Sequence, residues 1–188
     1  MATDYKVLGQ VATSQSSLTV TNKELTSNVA TLTTSAAHNL QVGSQVSVIL
    51  SPADSSFDGV HTVVSAPTTT TFTFESINSD VTSASSGGSV TGFEWETLYT
   101  CPSATATVVS SLVICNRGNS AGYYKVALDT TNSGEPANSK ILVFNDLAAA
   151  KETVALTIGL TLDATNKYLR VAASNDDFTF ALFGSEIS

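Results

Sequence analysis

LVICNRG, residues 112–118, runs four apolar side chains into an Asn-Arg-Gly ending. It reads either as a reactive site or as a buried strand turning a corner. Upstream it continues from TVVSSLVIC, residues 107–115, which is mostly apolar on both faces, as a central sandwich strand should be. A nucleophilic cysteine needs a base in reach and a depressed pKa. The only histidines, His38 and His61, sit far upstream in a different module. Cys115 therefore reads as an inert core thiol. Asn116 and Gly118 supply the turn, where positive φ is cheap. Arg117 is expected to make a surface pairing or an interface contact.

The composition agrees with a β reading. The chain has 188 residues, of which 26 are Ser and 27 are Thr, and only 13% are charged. Threonine is stiff at Cβ and suits a pleated, half-buried surface. The formal charge is -8, and no Lys or Arg occurs between Asn28 and Gly92. Phosphate binding needs clustered cations, so direct nucleic-acid contact is not expected. No apolar run is long enough for a membrane helix. MATDYKVLGQ lacks the charged start, apolar stretch and cleavage site of a secretory signal. A bond between Cys101 and Cys115 stays open, but cysteine this sparse is expected as free thiols behaving as small hydrophobes.

Strand patterns recur about every ten residues with turn chemistry between them, which argues for sandwiches or barrels. Phe72 and Phe74 share one face, as do Tyr124, Val126 and Leu128, then Leu169, Val171 and Ala173, then Phe178, Phe180 and Leu182. LGQVAT and SLTVT are expected to form an N-terminal arm. SASSGGS, residues 83–89, reads as a flexible stretch. DLAAAKET, residues 146–153, is the one place for a helical turn.

The remaining polar groups read as structural. His38 lies in a loop without a second ligand at metal spacing. His61 sits on a strand face opposite Val60. Asp54, Asp58 and Asn175-Asp176-Asp177 do not match the spacing of a calcium loop, and turn formation accounts for them. The sequence offers no catalytic, cofactor-binding or metal-binding residues. Aromatic side chains are left as contact candidates: Trp95, Tyr99, Tyr123, Tyr124 and Tyr168. Core packing is the default for each. Tyr123 and Tyr124 point to opposite faces of one strand, so one of them should face outward. With Arg117, the interface candidates are Trp95, Tyr99, Arg117, Tyr123 and Tyr124.

Several segments resemble a known family. YKVLGQ at residues 5–10, ETLYTCPSATATVVSSLVICNRGNSAGYYKVAL, and LTIGLTLDATNKYLRVAAS with FALFGSEIS are similar to virion structural proteins of tailed bacteriophages, including cyanophages and marine phages. ATLTTSAAHNLQVGSQVSVIL, FDGVHTVV and TTFTF are similar to a small β module of phage tail and fibre proteins. Asn39 stands where that module usually has glycine, and Ser44 where it usually has aspartate. The resemblance implies a non-enzymatic particle component in the capsid, neck or tail, located in the virion and needing no cofactor. It implies contacts with other virion proteins and homo-oligomers, a trimer among them. It also leaves an adhesin reading, in which the inserted module binds a host polysaccharide or envelope protein.

The expected architecture is all-β: a jelly-roll-like β-sandwich with an inserted small β-barrel-like module. Residues 1–23 form an arm packing on the sandwich, 24–92 a five-stranded barrel-like module, and 93–188 the sandwich.

Overall fold

The computed structural model describes residues 4–38, 40, 42–134 and 136–187. It divides into two units, Met1–Ser14 with Glu94–Ser188, and Gln15–Phe93. The chain opens with β1 (Asp4–Ala12). The smaller unit follows, with β2 (Ser17–Thr26), β3 (Val29–Thr34), β4 (Gln45–Ser51), β5 (Gly59–Ser65), β6 (Thr71–Glu75), β7 (Val81–Ser85) and β8 (Gly87–Gly92). The larger unit resumes with β9 (Glu96–Thr100), β10 (Ala106–Asn116), β11 (Gly122–Asp129), β12 (Ile141–Ala148), β13 (Thr153–Leu162), β14 (Tyr168–Ala173) and β15 (Phe178–Ile187).

The larger unit is a sandwich of two four-stranded sheets, β1-β15-β10-β13 and β12-β11-β14-β9. Every pairing is antiparallel. First and last strands are neighbours, and from β9 onward consecutive strands alternate between sheets except for the β11–β12 hairpin. That is the double Greek-key arrangement of a jelly roll. The period-two faces read from sequence all point inward. Leu112, Ile114, Tyr124, Val126, Leu169, Val171, Phe178, Phe180 and Leu182 share one core. At one side the two sheets meet at β1 and β9. A Cβ at Gly9 would collide with the Leu98 carbonyl oxygen, so only glycine lets the backbones approach. On the other side, β12 and β13 carry the edges, each with a single neighbouring strand.

The smaller unit closes on itself. The strands run β3-β6-β5-β4-β8-β2, and β2 returns to pair with β3, so six strands complete a ring. β7 lies outside it, paired with β2. Leu25, Leu32, Val46, Val48, Phe57, Phe72 and Phe74 fill the ring. β2 and β8 pair at Ser17↔Thr91, so the unit begins and ends on adjacent strands.

Four expectations change. The module has six strands in its ring and β7 outside it, rather than five strands. The arm is β1 alone. SLTVT is β2 and belongs to the ring, so the unit boundary falls between residues 14 and 15 rather than after 23. The Ser/Gly stretch is β7 and the start of β8, held by ladder hydrogen bonds rather than left flexible. DLAAAKET is the end of β12 and a turn, with no helix. Asn39, one departure from the phage module pattern, lies outside the described residues.

Candidate functional site

The Asn-Arg-Gly ending is a structural corner. Asn116 is fully buried. Its side-chain amide donates to the carbonyls of Ser120, Ala148 and Ala149, and its Oδ1 accepts from the Gly118 N–H at 2.9 Å. Arg117 is exposed and lays one edge of its guanidinium along the next turn. Nε donates to the Asp177 carbonyl at 3.2 Å, and Nη2 to the Asp176 carbonyl at 3.0 Å. Cys115 and Cys101 are both free thiols. Cys115 borders a shallow groove of about 370 Å³ on the outer face of the β1-β15-β10 sheet, lined mainly by Val113, Phe180, Ala181, Gln10 and Ala12. Neither histidine faces it.

The histidines serve the ring. His38 Nδ1 accepts from the Leu40 N–H, and its ring meets Phe72 edge-on. His61 stacks on Phe74 with ring centres 3.9 Å apart, its Nε2 at 2.7 Å from the Phe57 carbonyl. Burial lowers its pKa. Asp58 accepts from the N–H groups of Leu50 and Asp54, so it ties a turn. Among the described residues no cluster of His, Cys, Asp and Glu is arranged to hold a metal.

A group of buried charges gathers on the outer face of the β12-β11-β14-β9 sheet. β11 alternates, with Tyr124 and Val126 inward and Tyr123, Lys125, Ala127 and Asp129 outward. Arg170 and Ala172 share that outward side of β14, opposite Ala127 and Lys125. Outward positions are ordinarily wet, yet Lys125, Asp129 and Arg170 are buried. Asp129 is shared by two cations, Lys140 Nζ at 2.7 Å and Arg170 Nη1 at 3.3 Å. Burial raises the Asp129 carboxyl, but Lys140 and the Thr130 and Thr131 N–H groups outweigh it and hold its pKa below the usual value. Arg170 also donates through Nη1 to the Gly134 carbonyl at 2.9 Å, and its guanidinium lies over the Trp95 ring.

Beside this charged centre runs an apolar strip. Leu142, Phe144 and Leu147 on β12 are 44%, 59% and 52% exposed, and Tyr123, paired with Leu147, is 39% exposed. Isolated exposed apolar residues are ordinary, but adjacent ones on a sheet edge form a contact surface. The Lys125 ammonium sits 5.1 Å from the centre of the Phe144 ring, on its face, which fixes that ring while leaving it accessible.

The interface candidates separate accordingly. Tyr123 lies on the strip, Arg117 is exposed but engaged by the next turn, and Trp95 lies against Arg170. Tyr99 and Tyr124 are core residues and present no ring to a partner. The Tyr124 hydroxyl donates to Asp146 Oδ2 at 2.6 Å, and the Tyr99 hydroxyl to Glu186 Oε1 at 2.7 Å. Burial, reinforced by those carboxylates, pushes both phenols well above their ordinary pKa. Sequence reading missed Lys125, Asp129, Lys140 and Arg170. The available signal was a charge on the outward positions of YYKVALD and YLRVAAS.

Comparison with known protein families and with characterised proteins finds no match. Among solved structures, the chain is similar to one in "Structure of infectious bursal disease virus Gt strain". The identity is 12% and the TM-score 0.29, with 96% of this chain and 57% of that chain covered. The chain thus spans little more than half the length of that neighbour, and similarity this slight carries no functional inference.

Proposed function

We propose that the protein is a non-enzymatic structural component of a tailed-phage particle, acting through subunit contacts in the capsid, neck or tail. The carrying observation is where the phage-like segments fall. YKVLGQ is in β1, LYT in β9, the strand ending NRG is β10, and FALFGSEI is in β15. With YYKVAL in β11 and YLRVAA in β14, these segments span both sheets of the sandwich, and the resemblance coincides with one folded unit. The phage-module motifs fall together too, in the closed ring.

The contact chemistry fits a scaffold role. The β12 edge offers backbone donors and acceptors beside Tyr123, Leu142, Phe144 and Leu147, and sheet edges of this kind accept another chain. A stable contact needs about 800 Å² per partner, more than this strip alone supplies, so neighbouring surface is expected to join it. Immunogold labelling of purified phage particles with an antibody against the full chain tests the reading. Gold on the particle supports it. Particles without label, from lysates that contain the protein, would sink it. Label confined to fibre tips, with blocking of adsorption to host cells, would instead favour the adhesin.

A further inference from the structure

Arg117 and Arg170 make opposite use of the same edge of the guanidinium. In arginine, Nε–H and one Nη2–H point the same way and form a fork that matches the two oxygens of a carboxylate. Arg117 fills this fork with the carbonyls of Asp177 and Asp176. Arg170, only 2% exposed, does not. Its Nη1 is occupied by Asp129 and Gly134. Its Nε is buried without an acceptor, and its Nη2 has one stretched contact, the Trp95 carbonyl at 3.5 Å. Trp95 Nε1 is likewise buried without an acceptor. The two orphan donors belong to one stacked pair, with the Arg170 guanidinium 5.8 Å from the centre of the Trp95 ring.

Buried N–H groups are nearly always satisfied, because desolvating one without a partner costs roughly 1–3 kcal/mol. Two on one pair mark a missing acceptor. Among the described residues, Arg170 and Lys140 share the carboxylate of Asp129. We propose that the Arg170 fork and the Trp95 indole N–H form a binding site for a carboxylate group. The fork takes both oxygens and the indole donates to one of them. A planar carboxylate matches the geometry of these donors. This site does not depend on the particle reading and stands or falls separately.

Trp95 is the only tryptophan, so its indole N–H gives a single reporter resonance in the ¹⁵N-labelled full chain. Sodium acetate is titrated into dilute protein, with sodium chloride at matched ionic strength as the control. The expected result is a saturable shift of the indole peak with acetate alone, and acetate affinity at least tenfold weaker in Arg170→Lys, which keeps the charge but loses the fork. If that variant does not fold, Trp95→Phe keeps the ring, and the Arg170 Nε–H resonance replaces the indole as reporter. In Trp95→Phe the acetate-induced shift should need several-fold more acetate. A second arm raises the protein concentration in acetate-free buffer. An indole shift that tracks self-association would identify the carboxylate as one from a second copy. An indole peak that responds to neither acetate nor concentration, or equally to chloride, overturns the proposal.

Discussion

The two units solve the edge problem of β structure differently. The smaller one bends β2 round to pair with β3, so its six-stranded ring has no open ladder and only β7 is appended outside it. The sandwich closes one side through Gly9 against Leu98 and leaves β12 and β13 as edges. The Leu142–Phe144–Leu147 strip lies on such an edge, and the buried Lys125, Asp129 and Arg170 lie on the same sheet. A closed ring is complete in itself, while an open-edged sandwich has hydrogen-bonding groups and apolar area to offer a neighbour. Association should therefore be a property of the sandwich.

The sharpest test of that division is to damage one core alone. Phe72→Ala empties a fully buried site in the ring and should cost that unit about 3–5 kcal/mol. Trp95 belongs to the sandwich, so its fluorescence transition in denaturant should stay put while far-ultraviolet circular dichroism shows an earlier phase. A Trp95 transition that moved with the ring would mean the two cores melt together, and the contrast would be lost.

Asn116→Ala should come next. It leaves a buried strand end with the Ala148 and Ala149 carbonyls and the Gly118 N–H deprived of partners, at a cost of about 3 kcal/mol to the sandwich. Urea titration read at Trp95 measures it, and an unchanged midpoint would show the corner to be dispensable.

Acid should then separate the units. Asp129 and Asp54 both have folded pKa values below the ordinary carboxylate value, Asp54 chiefly through Lys23. A depressed carboxylate stabilises the fold above its unfolded pKa, and that contribution fades as pH falls through the folded one. Lys140 holds the Asp129 carboxyl down against its burial, and Lys23 does the same for Asp54. Asp129→Asn should therefore flatten the acid limb of sandwich stability alone, and Asp54→Asn that of the ring alone. An acid limb that flattens in the other unit would mean that the two carboxylates do not act within their own units.

The smallest effect on folding should come with the most specific effect on assembly. Phe144→Lys with Leu147→Lys alters exposed positions and should shift stability by no more than about 0.5 kcal/mol. It should weaken self-association at least tenfold in sedimentation velocity. Val60→Lys with Val64→Lys, on the exposed outside of the ring, is the matched control and should leave association unchanged. The reverse outcome would move the contact surface to the ring.

The inward faces were legible because period-two alternation needs no knowledge of partners. Phe178, Phe180 and Leu182 fall where the pattern puts them. What failed was non-local. SLTVT looks the same whether it pairs with β15 or with β3, and only the ladder decides. The Ala-rich end of β12 reads as helical by propensity, but pairing of Asp146, Leu147 and Ala148 with Tyr124, Tyr123 and Gly122 overrides it. The charged centre was hidden for a related reason. A lysine, an aspartate and an arginine on outward strand positions predict a wet face, and nothing nearby in sequence announces that Trp95 and the segment after β11 supply their partners.

Because the ring starts and finishes on the paired strands β2 and β8, its two ends are held side by side by its own hydrogen bonds. In the sandwich the Ser14 hydroxyl donates to Glu96, so the points where the chain leaves and re-enters that unit are also neighbours. A gene that lost or traded the segment between them would ask neither unit to rebuild. Recombination at these two points can exchange one unit while leaving the hydrogen bonding of the other intact.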